Sequence, residues 1–296
     1  MSRTKGLERK NAGVGRQARP GVVRQQVALG RAELIPDPDR ADSWLLLVDG
    51  TQQSHVDLAD PSRLSFEYTR LIGHVIDLLP NGPLQAVHLG GGALSLPRYC
   101  SVTRPGSRHL VIELDDLLVE LVREHLPWPR EQSIRVRPQD AREALDGLAA
   151  DSADLLILDV FAGARTPGQL TTWEAFTRAA EVLRPLGTFV ANLADEQPLT
   201  YARRFLSGVA EAFGDVTVLA EPAVLRGRRF GNLIAVGRSG AAGPLDLAAL
   251  TRRCAAEPYP ARVVHGPDLE SFLGAHTPFV DGSAPGSPEP PQSIFG

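Results

Sequence analysis

Leu84-Gln-Ala-Val-His-Leu-Gly90-Gly91-Gly92-Ala93-Leu-Ser-Leu-Pro97 is the stretch whose reading decides the fold. A short apolar run ends in three glycines, and a segment compatible with a helix follows. A second apolar run, His109-Leu-Val-Ile-Glu113, ends in an acid 21 residues beyond Gly92. Glycines let a backbone turn tightly and approach a ligand, and an acid at the next strand end can accept hydrogen bonds from a ribose diol. The spacing predicts a nucleotide-binding strand–loop–helix–strand unit.

The same alternation continues outward. Apolar runs recur at 86–89, 109–112, 134–136, 154–158, 187–192, 216–219 and 232–236, with helix-like segments at 114–124, 141–149, 172–183 and 199–213 between them. Strands alternating with helices predict an α/β fold with a parallel, doubly wound sheet. The short connection at 220–230 makes the last two of these seven strands an antiparallel hairpin. Upstream, turn-formers such as Pro36-Asp-Pro-Asp39 and Asp49-Gly50 divide residues 22–64 into a small antiparallel β unit, and 65–79 has helical spacing. The nucleotide-binding domain spans 65–240, a helical extension 241–281, and a flexible, Gly/Ser/Pro-rich end 282–296. Residues 1–21 set Arg3, Lys5, Arg9, Lys10, Arg16 and Arg19 against Glu8, a composition expected to be disordered.

A net charge of −4 gives no reason to expect nucleic acid. No apolar run reaches the ~20 residues of a membrane span, and the basic N-terminus lacks the apolar core of a signal peptide. Cys100 and Cys254 are too few for a disulfide framework or a cysteine-rich metal site. The expectation is a cytoplasmic protein without a metal.

In open α/β sheets ligands bind outside the carboxyl ends of the strands. Those ends carry Gly90-Gly91-Gly92, then Glu113 with Asp115, then Asp140 with Ala141, then Asp159. Around an adenosine sulfonium each has a task. Glu113 accepts from the ribose hydroxyls, Asp140 from the adenine amino group, and the Ala141 N–H donates to a ring nitrogen. Asp159 faces the sulfonium, where a carboxylate suits a cationic donor and a nucleophile that must lose a proton. Helix capping competes for these acids. Asp140-Ala-Arg-Glu143 has capping-box spacing, and Asp115 and Asp116 read as a helix N-terminus. Asp159 enters Val-Phe-Ala-Gly163, a poor helix start, which favours a binding or catalytic role.

With these motifs in place, residues from about 31 to 240 resemble the spermidine synthases, the aminopropyltransferase branch of the class I methyltransferase fold. Asp49-Gly-Thr-Gln-Gln53 is similar to the family's Asp-Gly-x-x-Gln stretch, which implies that Gln53 reaches the nucleoside co-substrate. The glycine triplet, Ile112-Glu113-Leu-Asp115, and Asp140-Ala141 resemble its glycine, ribose and adenine motifs. Asp159 falls where the family keeps its catalytic aspartate. The resemblance also implies a homodimer, for which 44–48 and 272–279 offer apolar surface.

The departures lie in the amine half. Ala93 stands where the family has an aspartate for the donor's amine, Ala162 where it has a second aspartate, and Phe66 and Tyr68 where it has a tyrosine and a glutamate. A buried ammonium without a partner is costly, and losing the acid at Ala93 would relieve repulsion against the carboxylate of intact S-adenosylmethionine. The reading is therefore a transferase that binds S-adenosylmethionine or a close derivative and moves a methyl group to a nitrogen or oxygen of a small-molecule acceptor. The alternative is aminopropyl transfer from decarboxylated S-adenosylmethionine to a polyamine, in a site rebuilt from Glu67, Asp195 and Glu196. A non-catalytic nucleoside-binding scaffold is the third reading.

Overall fold

The computed structural model describes residues 21–163, 165–239 and 241–291. Apart from Gly21, the basic N-terminal segment lies outside them. No helix among the described residues is long and apolar enough to cross a membrane.

The chain begins with four antiparallel strands in sequential order: β1 (Val23–Val27), β2 (Gly30–Pro36), β3 (Ser43–Val48) and β4 (Thr51–Asp57). Asp49 and Gly50, at φ 46° and 76°, close the β3–β4 hairpin. Two consecutive positive φ values make the tight turn whose twist matches the flanking strands. The fourth strand is not an apolar run, because Gln52, Gln53 and His55 stand among its residues. Trp44, Leu46 and Val48 are buried, in one apolar cluster with Val111, Leu118 and Leu121. Phe279, in the second segment offered as apolar surface, is also buried within the chain. These side chains stabilise the fold rather than supplying free surface.

The second unit runs through α1 (Glu67–Leu78), β5 (Gln85–Leu89), α2 (Ser95–Thr103), β6 (Arg108–Glu113), α3 (Asp116–His125), β7 (Ile134–Pro138), α4 (Ala141–Gly147), β8 (Ala153–Leu158), α5 (Trp173–Val182), β9 (Leu183–Asp195), α6 (Thr200–Phe213), β10 (Gly214–Ala220), α7 (Pro222–Leu225), β11 (Gly231–Ser239), α8 (Leu247–Ala255), β12 (Arg262–His265) and α9 (Pro267–Leu273). Its sheet has the order β12-β10-β11-β9-β8-β5-β6-β7. The strands from β5 to β9 pair in parallel, while β11 is antiparallel to both β9 and β10. This is the seven-strand, hairpin-terminated pattern expected, with one addition. The extension read as helical contributes β12, which pairs antiparallel with β10 and makes the sheet eight-stranded. An open β10 edge would present unpaired backbone groups, and β12 covers it.

Alternation along the central strands feeds two cores. Leu156 and Leu158 of β8 pack with α5 and α6 residues such as Phe176 and Phe205. Leu155 and Ile157 point the other way, toward Leu71, Ile72 and Val75 of α1. A strand buried on both faces reads as a continuous apolar run, which is why β8 stands out in the sequence.

The chain winds outward from β5 through β6 to β7, then returns to place β8 on the other side of β5. The crevice at such a reversal is where these folds hold ligands.

Candidate functional site

A cleft lies over the ends of β5, β6 and β8, the place where open α/β sheets hold small ligands. Gln53, Gly90, Gly91, Gly92, Glu113, Asp140, Ala141 and Asp159 all line it. The sequence-derived site residues thus meet in one place, although they span more than 100 positions of the chain.

Gly90 is held at φ +95°, and a Cβ there would lie 2.1 Å from the Asp159 carbonyl oxygen. Only glycine allows β5 and β8 to close this tightly. The next two glycine N–H groups donate to one oxygen of Glu113, Gly91 at 2.9 Å and Gly92 at 3.2 Å, and Asp115 N–H donates to the other at 3.1 Å. The Glu113 carboxylate therefore shapes the glycine loop.

Asp115 is buried, and both of its carboxylate oxygens are engaged by backbone N–H groups. It takes the Leu118 N–H as the N-cap of α3 (2.9 Å) and the Ala28 and Leu29 N–H groups at 3.1 and 2.8 Å. One side chain thus starts a helix and fastens the β1–β2 turn over the cleft. Asp140 caps α4 through Arg142 N–H (2.8 Å) and Glu143 N–H (3.0 Å), while its second oxygen accepts from Gln169 Nε2 at 3.1 Å. The capping reading of Asp140 and its position in the cleft hold together. Gln53, on β4, donates to the Gly163 carbonyl at 3.2 Å, across from the N-terminal sheet to the loop after Asp159.

Asp159 follows the last residue of β8 and is half-buried in the cleft wall. Burial raises its pKa to about 6, against the pull of hydrogen bonds from Asn192 and Tyr68. Asn192 Nδ2 donates to Oδ1 at 3.0 Å. Burial, and then the Asp159 charge, pushes the Tyr68 phenol well above its ordinary value, so it stays a proton donor to the carboxylate. Sequence reasoning left Asn192 and Gln169 out of the site. Asn192 lies near the end of the next apolar run, so the strand-end rule extended by one strand would have found it. Gln169 carries no such signal. His88 also lines the cleft, and its Nε2 lies 3.2 Å from His109 Nδ1. Burial holds His88 well below the usual imidazole range and His109 at about 4, so both are neutral at pH 7.

The structure alters the reading of Ala93. Its side chain does not line the cleft; it is fully buried in the apolar cluster under the N-terminal sheet, with Leu34, Val111 and Leu118. Glu67, Asp195 and Glu196 are likewise absent from the lining. Asp195 is taken up by the N–H groups of Glu196 and Ala202, both at 2.8 Å. Ala162 does line the cleft, as an exposed residue.

One wall is braced from behind. Pro167 and Leu170 line the cleft, and residues 278–289 run along the far side of that loop. Ser287 N–H donates to the Thr166 carbonyl (3.0 Å), and Thr166 N–H donates back to Ser287 Oγ (2.8 Å). Arg142 makes a bidentate pair with Asp281, both contacts 2.8 Å, and Thr172 Oγ1 donates to the same carboxylate at 2.7 Å. The Arg142 guanidinium holds the Asp281 carboxyl below its ordinary value. A Cβ on Gly168 would lie 2.2 Å from the Ala284 carbonyl oxygen, so the two segments touch backbone to backbone. Residues 282–291, whose composition predicts flexibility, include the fully buried Ser287.

No family model matches the chain. A probable spermidine synthase from Corynebacterium glutamicum ATCC 13032, a solved structure, is 35% identical with a TM-score of 0.82, over 90% of this chain and 98% of that one. The polyamine aminopropyltransferase of Vibrio vulnificus is 29% identical over 153 residues, 48% of this chain and 50% of the relative. That of Chromobacterium violaceum is 25% identical over 166 residues, 53% of this chain and 60% of the relative. The chain thus matches about half the length of these curated relatives. With the expected fold, the motifs gathered in one cleft and 35% identity along nearly the whole of a solved structure, the chain belongs to the spermidine synthase-like family.

Proposed function

We propose that this protein is an aminopropyltransferase that joins the aminopropyl group of decarboxylated S-adenosylmethionine to an amine. The observation that carries the reading is Asp159, a half-buried carboxylate in the cleft beside the glycine loop, its pKa raised to about 6 by desolvation, ionised at neutral pH and poised to take a proton from an ammonium. The names of the curated relatives point the same way.

The charge of the cleft adds support. Glu113, Asp115, Asp140 and Asp159 line it, with no Lys or Arg among the described lining residues. Such a wall suits a donor carrying a sulfonium and an ammonium. It offers no cationic side chain to the carboxylate of intact S-adenosylmethionine. The case for the intact donor rested on Ala93, whose side chain is buried away from the cleft. An aspartate introduced there would enter an apolar cluster rather than meet the donor.

The lining offers the donors and acceptors that a nucleoside would need. Asp140 and Ala141 would receive the adenine and Gln53 would close over the co-substrate. Glu113 would share its carboxylate between the glycine loop and the ribose. Asp159 accepts one proton from the acceptor ammonium, and the freed lone pair attacks the carbon next to sulfur. The N–C bond forms as the C–S bond breaks, and the electron pair stays on sulfur, leaving neutral methylthioadenosine and a secondary ammonium. Holding nucleophile and sulfonium in line supplies much of the acceleration.

The test is product identity. With decarboxylated S-adenosylmethionine and a mixture of amines, mass spectrometry should find methylthioadenosine and an aminopropylated amine. Formation of S-adenosylhomocysteine from intact S-adenosylmethionine instead would return methyl transfer to first place. For the nucleoside half, Glu113→Ala should weaken methylthioadenosine binding by roughly 1–3 kcal/mol through lost charge-assisted hydrogen bonds. Unchanged affinity by calorimetry in a folded variant would remove Glu113 from the site.

A further inference from the structure

Asn192 stands in a row of apolar side chains. β8 and β9 run in parallel with Ile157 beside Val190 and Leu158 beside Ala191, so the next step sets Asp159 level with Asn192. On its other side Asn192 faces Ile234 of β11. Ile157, Val190 and Ile234 are buried in the cluster that includes Ile72 and Val75 of α1. Another aliphatic side chain at position 192 would complete that surface.

Instead the position holds an amide that is 2% exposed. Burying an amide costs stability unless its groups are bonded. Asn192 Oδ1 is buried without a hydrogen-bond partner among the described residues, while Nδ2 donates to Asp159 Oδ1 at 3.0 Å. A buried polar group left half-satisfied calls for a reason. The bond to Asp159 is what the amide gains.

Resting on the aminopropyl-transfer reading, we infer that Asn192 is a positioning residue: its amide N–H fixes one oxygen of Asp159 and holds the carboxylate as a base for the acceptor ammonium. An amide can do this without bringing a charge of its own. A lysine there would pair with Asp159, and an acid would repel it.

A hydrogen bond to the charged form of a carboxyl lowers its pKa and opposes desolvation. Asn192 and Tyr68, which reaches Asp159 from α1, both act in that direction. Glu113 of β6, Asp115 and Asp140 line the same cleft with backbone N–H groups on their carboxylates, and His88 of β5 is neutral. Loss of the Asn192 donor should therefore raise the Asp159 value and leave less base at neutral pH.

The test is the pH profile of Asn192→Ala, with decarboxylated S-adenosylmethionine and an amine as substrates. The low-pH limb of kcat/KM should move up from about 6 by about one pH unit, a tenfold gain in proton affinity. The rate should be about fivefold below wild type at pH 6 and within about twofold of it at pH 8.5. Asn192→Asp, which sets a second carboxylate against the first, should move the limb further. Methylthioadenosine should bind Asn192→Ala as it binds wild type. A rate lowered by the same factor at every pH, or a limb that stays near 6, overturns the inference. Carbon-13 NMR of the Asp159 carboxyl, assigned by its absence in Asp159→Asn, reads the same midpoint without turnover. If that midpoint rises in Asn192→Ala while no methylthioadenosine forms with any amine, the hold of Asn192 on Asp159 stands and the aminopropyl-transfer reading falls.

Discussion

Asp159→Asn should lower turnover by ~10²–10⁴, the usual range for loss of a general base, while methylthioadenosine binds as before. The substitution keeps the shape of the side chain and an oxygen for Asn192 Nδ2 to donate to, and removes the proton acceptor. The wild-type rate should rise with pH through about 6 in kcat/KM, where the free carboxylate ionises. The limb in kcat should lie lower, because a bound sulfonium favours the charged form. In the variant both limbs should vanish. The same change should stabilise the protein. The folded-state pKa of about 6 lies above the ordinary 3.8, so folding becomes less favourable as pH rises from 3.8 to 6, and the full cost stands above that. That difference corresponds to on the order of 3 kcal/mol. Asp159→Asn should regain part of it at pH 7 and nothing below pH 4. Wild-type turnover in the variant would make Asp159 structural.

Asp115→Ala should cost about 2–4 kcal/mol of stability, from a lost N-cap and lost charge-assisted hydrogen bonds. The Ala28 and Leu29 amides lie on exposed residues and can turn to water, whereas the Leu118 amide belongs to a buried residue and cannot. The loss should therefore come largely from α3, with the β1–β2 turn released as well. Urea unfolding should show the lowered midpoint, and proteolysis should cut first near Leu29. Because Leu29 and Asp115 both line the cleft, nucleoside affinity should fall too. A variant as stable as wild type would mean that the N-terminal sheet is held by its apolar cluster alone.

The parts of this molecule that follow from local rules were legible in the sequence. β8 is apolar on both faces, so it appears as an unbroken run. The Gly90 turn admits no side chain, and the acids fall at strand ends where the fold brings them together. What escaped depends on tertiary context. β4 carries polar residues because its side chains reach the cleft and its loops, as Gln53 and Ser54 do. β12 is only four residues long, with Arg262 and His265 at its ends, and is a strand because the β10 edge needs a partner. Ala93 occupies a motif position that implies a ligand contact, yet Leu94 at φ 65° begins the turn into α2 and Ala93 packs inward. Position in a motif fixes the place along the chain, not the direction in which a side chain points.

The segment at 278–289 gives the site a thermodynamic partner more than 100 residues away in sequence. Loop 165–172 supplies cleft residues on one side and the hydrogen bonds to Ser287 and Asp281 on the other, so two occupancies act on one loop. If a ligand in the cleft favours the loop's docked form, docking of the segment must favour the ligand by the same free energy. Saturating the protein with methylthioadenosine should then slow hydrogen exchange at the Ser287 amide, and weakening the Arg142–Asp281 pair should loosen nucleoside binding by the matching factor. Selection for nucleoside affinity would in that way reach residues that never touch the nucleoside.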